Sequence, residues 1–192
     1  MNLGWISIIR LGLVQMSLGA IVVLMTATLN RLMVVELALP AILPGVLVGL
    51  HYGIQITRPN WGFRSDKGGR RTPWIIGGMA ILGAGGILAA TSIPILDNNF
   101  ALGMLTSLSA YILIGIGVGA SGTSLLALLA TSTAPRRRAA AATITWLMMI
   151  AGIAITAGTT GVMLDPYSHA LLIKIVAVIS AGAVSLTTLA MW

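Results

Sequence analysis

Few side chains in this sequence could do chemistry, and they fall into three groups. His51 and Gln55 stand in the apolar stretch from Ala41 to Thr57, one helical turn apart and so on one face. An ionisable group inside a membrane span marks a functional site by default, and a neutral imidazole binds metals or passes a proton. An imidazole hydrogen-bonded between helices, or wetted in a cavity, explains the same residue and is the favoured reading of His51 alone. The second group lies in R-P-N-W-G-F-R-S-D-K-G-G-R-R-T-P, Arg58 to Pro73. It contains G-x-x-x-D-x-x-G-R-R, formed by Gly62, Asp66, Gly69, Arg70 and Arg71. Gly62 permits close approach of a neighbouring helix, Asp66 can pair with arginine, and Gly69 supplies the turn that returns Arg70 and Arg71 towards it. The third group is Asn30, Arg31 and Glu36, at the end of the first apolar run. A separation of five residues puts Arg31 and Glu36 on different faces, and structural and docking roles are equally open.

Other chemistries find no support. The carboxylates Glu36, Asp66, Asp97 and Asp165 are scattered over separate loops and helix ends, without a paired acid and base. Gly115-Ile-Gly117-Val-Gly119-Ala120 imitates a dinucleotide fingerprint, yet it sits in an apolar run and no carboxylate follows until Asp165. Close helix packing explains those glycines. There is no cysteine, which excludes disulfides and thiolate metal sites. The expectation is a protein that is not an enzyme.

Membrane helices must position these groups. The chain is 57% hydrophobic and 8% charged, with mean hydropathy +1.00, whereas soluble domains are about a quarter charged. Each span needs about 20 apolar residues, so one transmembrane domain, residues 1–192, has room for six. They are expected at about 6–36, 41–57, 73–92, 100–131, 139–163 and 169–192, in an all-α bundle. Pro40 and Pro44 introduce the second, Pro73 and Trp74 the third, and Asp165-Pro166 separates the last two. The loops 58–72 and 132–138 carry the charge.

Net charge of +7 does not imply nucleic acid, because the basic residues gather in alternate short loops. With the N-terminus inside, nine Lys and Arg fall on the inner side and Arg31 alone on the outer. The positive-inside rule then places both termini in the cytoplasm. Arg136, Arg137 and Arg138 serve as a topology signal and attract anionic lipid, at about 1 kcal/mol per residue. Lys174, inside the last span, either snorkels or pairs.

Several tracts carry a family resemblance. R-L-G-L-V-Q-M-S-L-G-A (Arg10 to Ala20), T-L-N-R-L-M-V-V-E-L-A-L-P (Thr28 to Pro40), G-F-R-S-D (Gly62 to Asp66) and G-G-R-R-T-P-W-I (Gly68 to Ile75) resemble the PucC/LhaA family. This is a branch of the major facilitator superfamily in photosynthetic bacteria and cyanobacteria. The resemblance implies the N-terminal half of a facilitator fold, two inverted three-helix repeats, in the bacterial inner or intracytoplasmic photosynthetic membrane. It implies a role in assembling light-harvesting complexes and delivering bacteriochlorophyll, as cargo, to antenna or reaction-centre core polypeptides. Some members carry labels as bacteriochlorophyll synthase subunits, which the missing catalytic motif does not support. Asn30, Arg31 and Glu36 belong to the family signature. Gly62, Asp66, Gly69, Arg70 and Arg71 match the superfamily's gating loop.

For His51 the resemblance adds the magnesium of a chlorin as a candidate partner. Family members have about twelve spans, so a C-terminal six-helix half is an expected partner. The competing expectation, motivated by the gating loop, is a proton- or gradient-driven transporter of a small solute.

Overall fold

The computed structural model describes residues 3–192, and all its regular elements there are helical. The N-terminal helix runs continuously over Trp5–Val35. It comprises α1 (Trp5–Val23), a π-helical segment (Leu24–Leu29) and α2 (Asn30–Val35). The π segment displaces backbone carbonyls from the regular ladder, and the buried Tyr111 hydroxyl donates to Met25 O at 3.1 Å. α3 (Ile42–Ile54) follows, then a 3₁₀ turn (Gln55–Thr57) and α4 (Arg58–Lys67). α5 (Thr72–Asn98), α6 (Phe100–Ser132), α7 (Arg138–Met163) and α8 (His169–Met191) complete the chain. Asn99 caps α6 by accepting from Leu102 N at 3.1 Å, and Ser168 caps α8 by accepting from Leu171 N at 3.2 Å.

Among the described residues, five helices are long and apolar enough to cross a membrane: Trp5–Val35, Thr72–Asn98, Phe100–Ser132, Pro135–Met163 and His169–Met191. The segment expected as a span at 41–57 has an α-helical part of only 13 residues. Its helical path continues beyond the 3₁₀ turn into the polar stretch expected as the loop 58–72. Local chemistry explains this correction. Pro59 lies in the first turn of α4, where its missing N–H costs nothing. Arg64 and Lys67 lie in the last turn, where they favour the helix dipole.

α5 also exceeds its expected end at 92. It passes through Pro94 to Asn98, whose side chain donates to Pro94 O at 2.7 Å. Pro94 has no N–H to give to the carbonyl of Ala90, one turn earlier.

Glycine sets how closely the helices pack. α5 lies along α6 and α8, and α1 lies along α7 and α8. A Cβ on Gly117 of α6 would sit 2.5 Å from Leu82 N of α5, and one on Gly152 of α7 would strike Met16 O of α1. Hydrocarbon supplies no hydrophobic drive between helices, so such close backbone contact supplies the packing energy. Gly182, by contrast, has nothing within 4 Å of its would-be Cβ. Gly117→Ala should therefore cost about 1–3 kcal/mol in an SDS-unfolding titration. Gly182→Ala should leave the midpoint unchanged or slightly raised.

Candidate functional site

A cavity of about 300 Å³ lies among α1, α3, α6 and α7. α1 contributes Gln15, α3 contributes His51, α6 contributes Val118 and Leu126, and α7 contributes Trp146 and Met149. Gln55 follows α3 in the 3₁₀ turn, and Arg58 opens α4. Small residues explain the shape. Gly115 lets the His51–Ile54 turn approach α6, where a Cβ would lie 2.7 Å from Ile54 Cβ and 2.9 Å from His51 O. Gly19 does the same between α1 and α7 beside Met149.

The polar atoms of this cavity are only partly satisfied. His51 is 2% exposed, and its Nε2 lies 2.8 Å from Gln55 Nε2. With the amide nitrogen facing the ring, Gln55 donates to Nε2 and the ring proton sits on Nδ1. With the amide reversed, Nε2–H donates to Gln55 Oε1 and the Nδ1 lone pair is free. Either way Nδ1 is buried without a hydrogen-bond partner among the described residues. Gln15 donates to Met149 Sδ at 3.4 Å, while its buried Oε1 also has no partner. Leaving such groups unpaired costs about 1–3 kcal/mol each, which a polar ligand or a water would recover.

The charged strip at residues 58–73 comprises α4 and the turn that leads into α5. Asp66 Oδ1 accepts from Arg71 Nε at 3.1 Å and from Arg71 Nη2 at 2.6 Å. Arg71 Nη1 donates to Thr131 Oγ1 near the end of α6. Gly69 makes this return possible with φ of +67°, a conformation only glycine adopts freely. Arg70 stays exposed, outside the pair. Gly62 faces Thr123 of α6, whose Cγ2 would lie 3.4 Å from an added Cβ.

The helix-end group is dispersed. Asn30 is half-buried and donates to Thr26 O at 3.5 Å, whereas Arg31 and Glu36 are exposed and form no ion pair among the described residues. Lys174 is exposed on α8.

The profile of the family described as PUCC protein matches residues 28–192. The chain belongs to the PucC family. It is 65% identical over all 192 residues to the "Bacteriochlorophyll synthase 44.5 kDa chain" of Rhodobacter capsulatus, covering 45% of that protein. It is 31% identical over 198 residues to "Protein PucC" of Cereibacter sphaeroides, covering 96% of this chain and 43% of the relative. "Protein PucC" of Rhodobacter capsulatus is also 31% identical, over 197 residues with the same coverage. The chain thus spans less than half the length of these curated relatives. No solved structure matches it. Its apolar helices and its family together make it a multi-pass membrane protein.

The PucC match begins at Thr28 and contains Asn30, Arg31, Glu36, His51, Gln55 and the whole Arg58–Pro73 strip. The structure joins His51 to Gln55 and Asp66 to Arg71, but it does not join Arg31 to Glu36. Sequence reasoning passed over Gln15, although an amide within an uncharged run was a readable signal. Arg58 was read only as a loop charge, and nothing in the sequence placed Trp146 or Met149 opposite His51.

Glu36 lies within electrostatic reach of Tyr167, in the turn between α7 and α8. Burial raises the Tyr167 phenol to about 12, and the carboxylates of Glu36 and Asp97 add to the effect. The tyrosines number three, so Tyr52→Phe with Tyr111→Phe leaves Tyr167 as the sole one. Its phenolate absorbance should then rise with a midpoint of about 12, and Glu36→Gln should move that midpoint down. Because the folded value is the raised one, the stability linked to Tyr167 is intact below about 10 and is lost as pH climbs through about 12. A midpoint near 10 would place the hydroxyl in water.

Proposed function

We propose that this chain is the N-terminal part of a PucC-type factor for assembling light-harvesting complexes, and that its four-helix cavity handles bacteriochlorophyll for antenna apoproteins. It would do so in the photosynthetic membrane, with both termini cytoplasmic, by binding and presentation rather than by catalysis. The cavity carries this reading: a mostly apolar site with a few convergent, unpaired polar atoms is what an amphipathic ligand needs. His51 Nδ1 is the atom available to a chlorin magnesium, and Gln55 is the neighbour that fixes the tautomer by accepting from Nε2–H. Nδ1 is enclosed, so ligation requires α3 to ease away from α6. A whole chlorin also exceeds the cavity, and the remainder would project past the exposed Tyr52 and Trp146.

The helix packing supports a facilitator-type half. Exchanging the first, second and third segments for the fourth, fifth and sixth maps the α1–α7 contact onto the contact of α3 and α4 with α6. The same exchange maps α5–α6 onto α8–α1 and leaves α5–α8 in place. Such a pattern is expected of two inverted three-helix repeats. The cavity draws on two segments of each, and its open flank is where a second half would pack.

Gently purified protein should carry bacteriochlorophyll in its absorption spectrum together with antenna polypeptides. His51→Leu should reduce the pigment severalfold without loss of the folded, monodisperse protein. A colourless protein without antenna partners would end this reading. The Asp66–Arg71 pair, tied to α6 through Thr131, favours a second reading as a gated solute transporter. Such an exposed pair contributes only about 0–1 kcal/mol to stability. A large loss of proteoliposome uptake in Asp66→Asn would therefore report gating rather than unfolding.

A further inference from the structure

We infer that Gln15 is itself a magnesium ligand of the cavity, its Oε1 taking the axial position on the chlorin face turned towards α1. This rests on the reading of the cavity as a pigment site. Gln15 reaches the cavity from α1, which packs on α7, whereas His51 reaches it from α3, which packs on α6. The two residues therefore stand on different walls. Magnesium favours octahedral coordination, and four ring nitrogens in a plane leave one axial position on each face. Gln15 and His51 need not compete for the same one.

The thioether of Met149 fixes which end of the Gln15 amide is free. Sulfur accepts a hydrogen bond but cannot donate one, so Nε2 turns to Met149 Sδ at 3.4 Å and Oε1 is left for another partner. That oxygen is buried without a hydrogen-bond partner among the described residues, on a side chain 5% exposed. Packing alone does not call for it, because a leucine would fill similar space without leaving a polar atom unpaired. A metal reverses that balance: magnesium is a hard cation, and carbonyl oxygen is among the donors that suit it. Reach also favours Gln15. His51 is a short side chain on the turn that Gly115 brings against α6, and its Nδ1 is released only when α3 moves. Gln15 has a longer side chain, restrained by a bond to a weak acceptor, so rotation of that side chain turns Oε1 into the cavity with the backbone of α1 in place.

The test uses the whole chain in nanodiscs with bacteriochlorophyll a and bacteriopheophytin a, which share one esterified body and differ only in the magnesium. Quenching of tryptophan fluorescence, corrected with empty nanodiscs, reads the binding of both. The wild type should bind the magnesium pigment about tenfold more tightly. Gln15→Leu should cut that preference severalfold by weakening bacteriochlorophyll alone, and Gln15→Glu, which keeps an oxygen at the same reach, should retain it. His51→Leu, with Gln15 intact, should leave part of the preference. Without pigment, Gln15→Leu should melt at the wild-type midpoint or above it, since it removes an unpaired buried oxygen. A full preference in Gln15→Leu, or an equal weakening of both pigments, would overturn the assignment. Equal binding of the two pigments to the wild type would also overturn it while leaving the ligand site standing. If neither pigment binds, the ligand-site reading falls with it.

Discussion

The structure depends on backbone meeting backbone. In hydrocarbon, helices gain little by hiding apolar side chains from one another, because lipid is equally apolar. What remains is close contact, and Gly117 against Leu82 and Gly152 against Met16 provide it. These two contacts fix the α5–α6 and α1–α7 pairs. The cavity is what lies between the pairs, where α3 comes close to α6 at Gly115 and leaves Gln15, His51 and Trp146 around an open volume. Tight pairs with a loosely filled seam are the physical basis of the site.

Much of this bundle was legible because lipid imposes a simple rule. A run of about 20 apolar residues must be a helix, and the runs opening at Thr72, Phe100, Arg138 and His169 are helical. The second segment was less legible. Its apolar run is short, and its polar continuation has poor hydropathy but good helix chemistry, with Pro59 at the start and basic residues at the end. Hydropathy reads solvent preference, whereas α4 is set by local propensity, and the two diverge at a membrane surface. The π segment that follows α1 was invisible for another reason. Its Met25 carbonyl accepts from Tyr111, which lies 86 residues away.

At the site, the legible relations were local. His51 and Gln55 are one turn apart, and Asp66 and Arg71 are brought together by one glycine turn, so spacing alone anticipates both contacts. Glu36 shows the converse. Its exposed carboxylate acts on Tyr167 from the far end of the chain, a relation created by tertiary folding and therefore absent from any local pattern. Gln15 and Arg58 belong to the same class, each ordinary in sequence and significant only once four helices are assembled around it.

This arrangement bears on how a cavity in so apolar a protein could open. Moving α5 from α6 would break glycine contacts along much of two long helices, and moving α1 from α7 would do the same. Moving α3 breaks far less. Ile42, Val46, Tyr52 and Ile56 are already exposed, the segment is 13 residues long, and its path changes geometry at the 3₁₀ turn, a common place for a hinge. The buried nitrogen of His51 lies on the element that is cheapest to displace, next to the residue, Gln55, at which the helix geometry changes. On the proposed reading, access to His51 and bending at Gln55 are therefore one event.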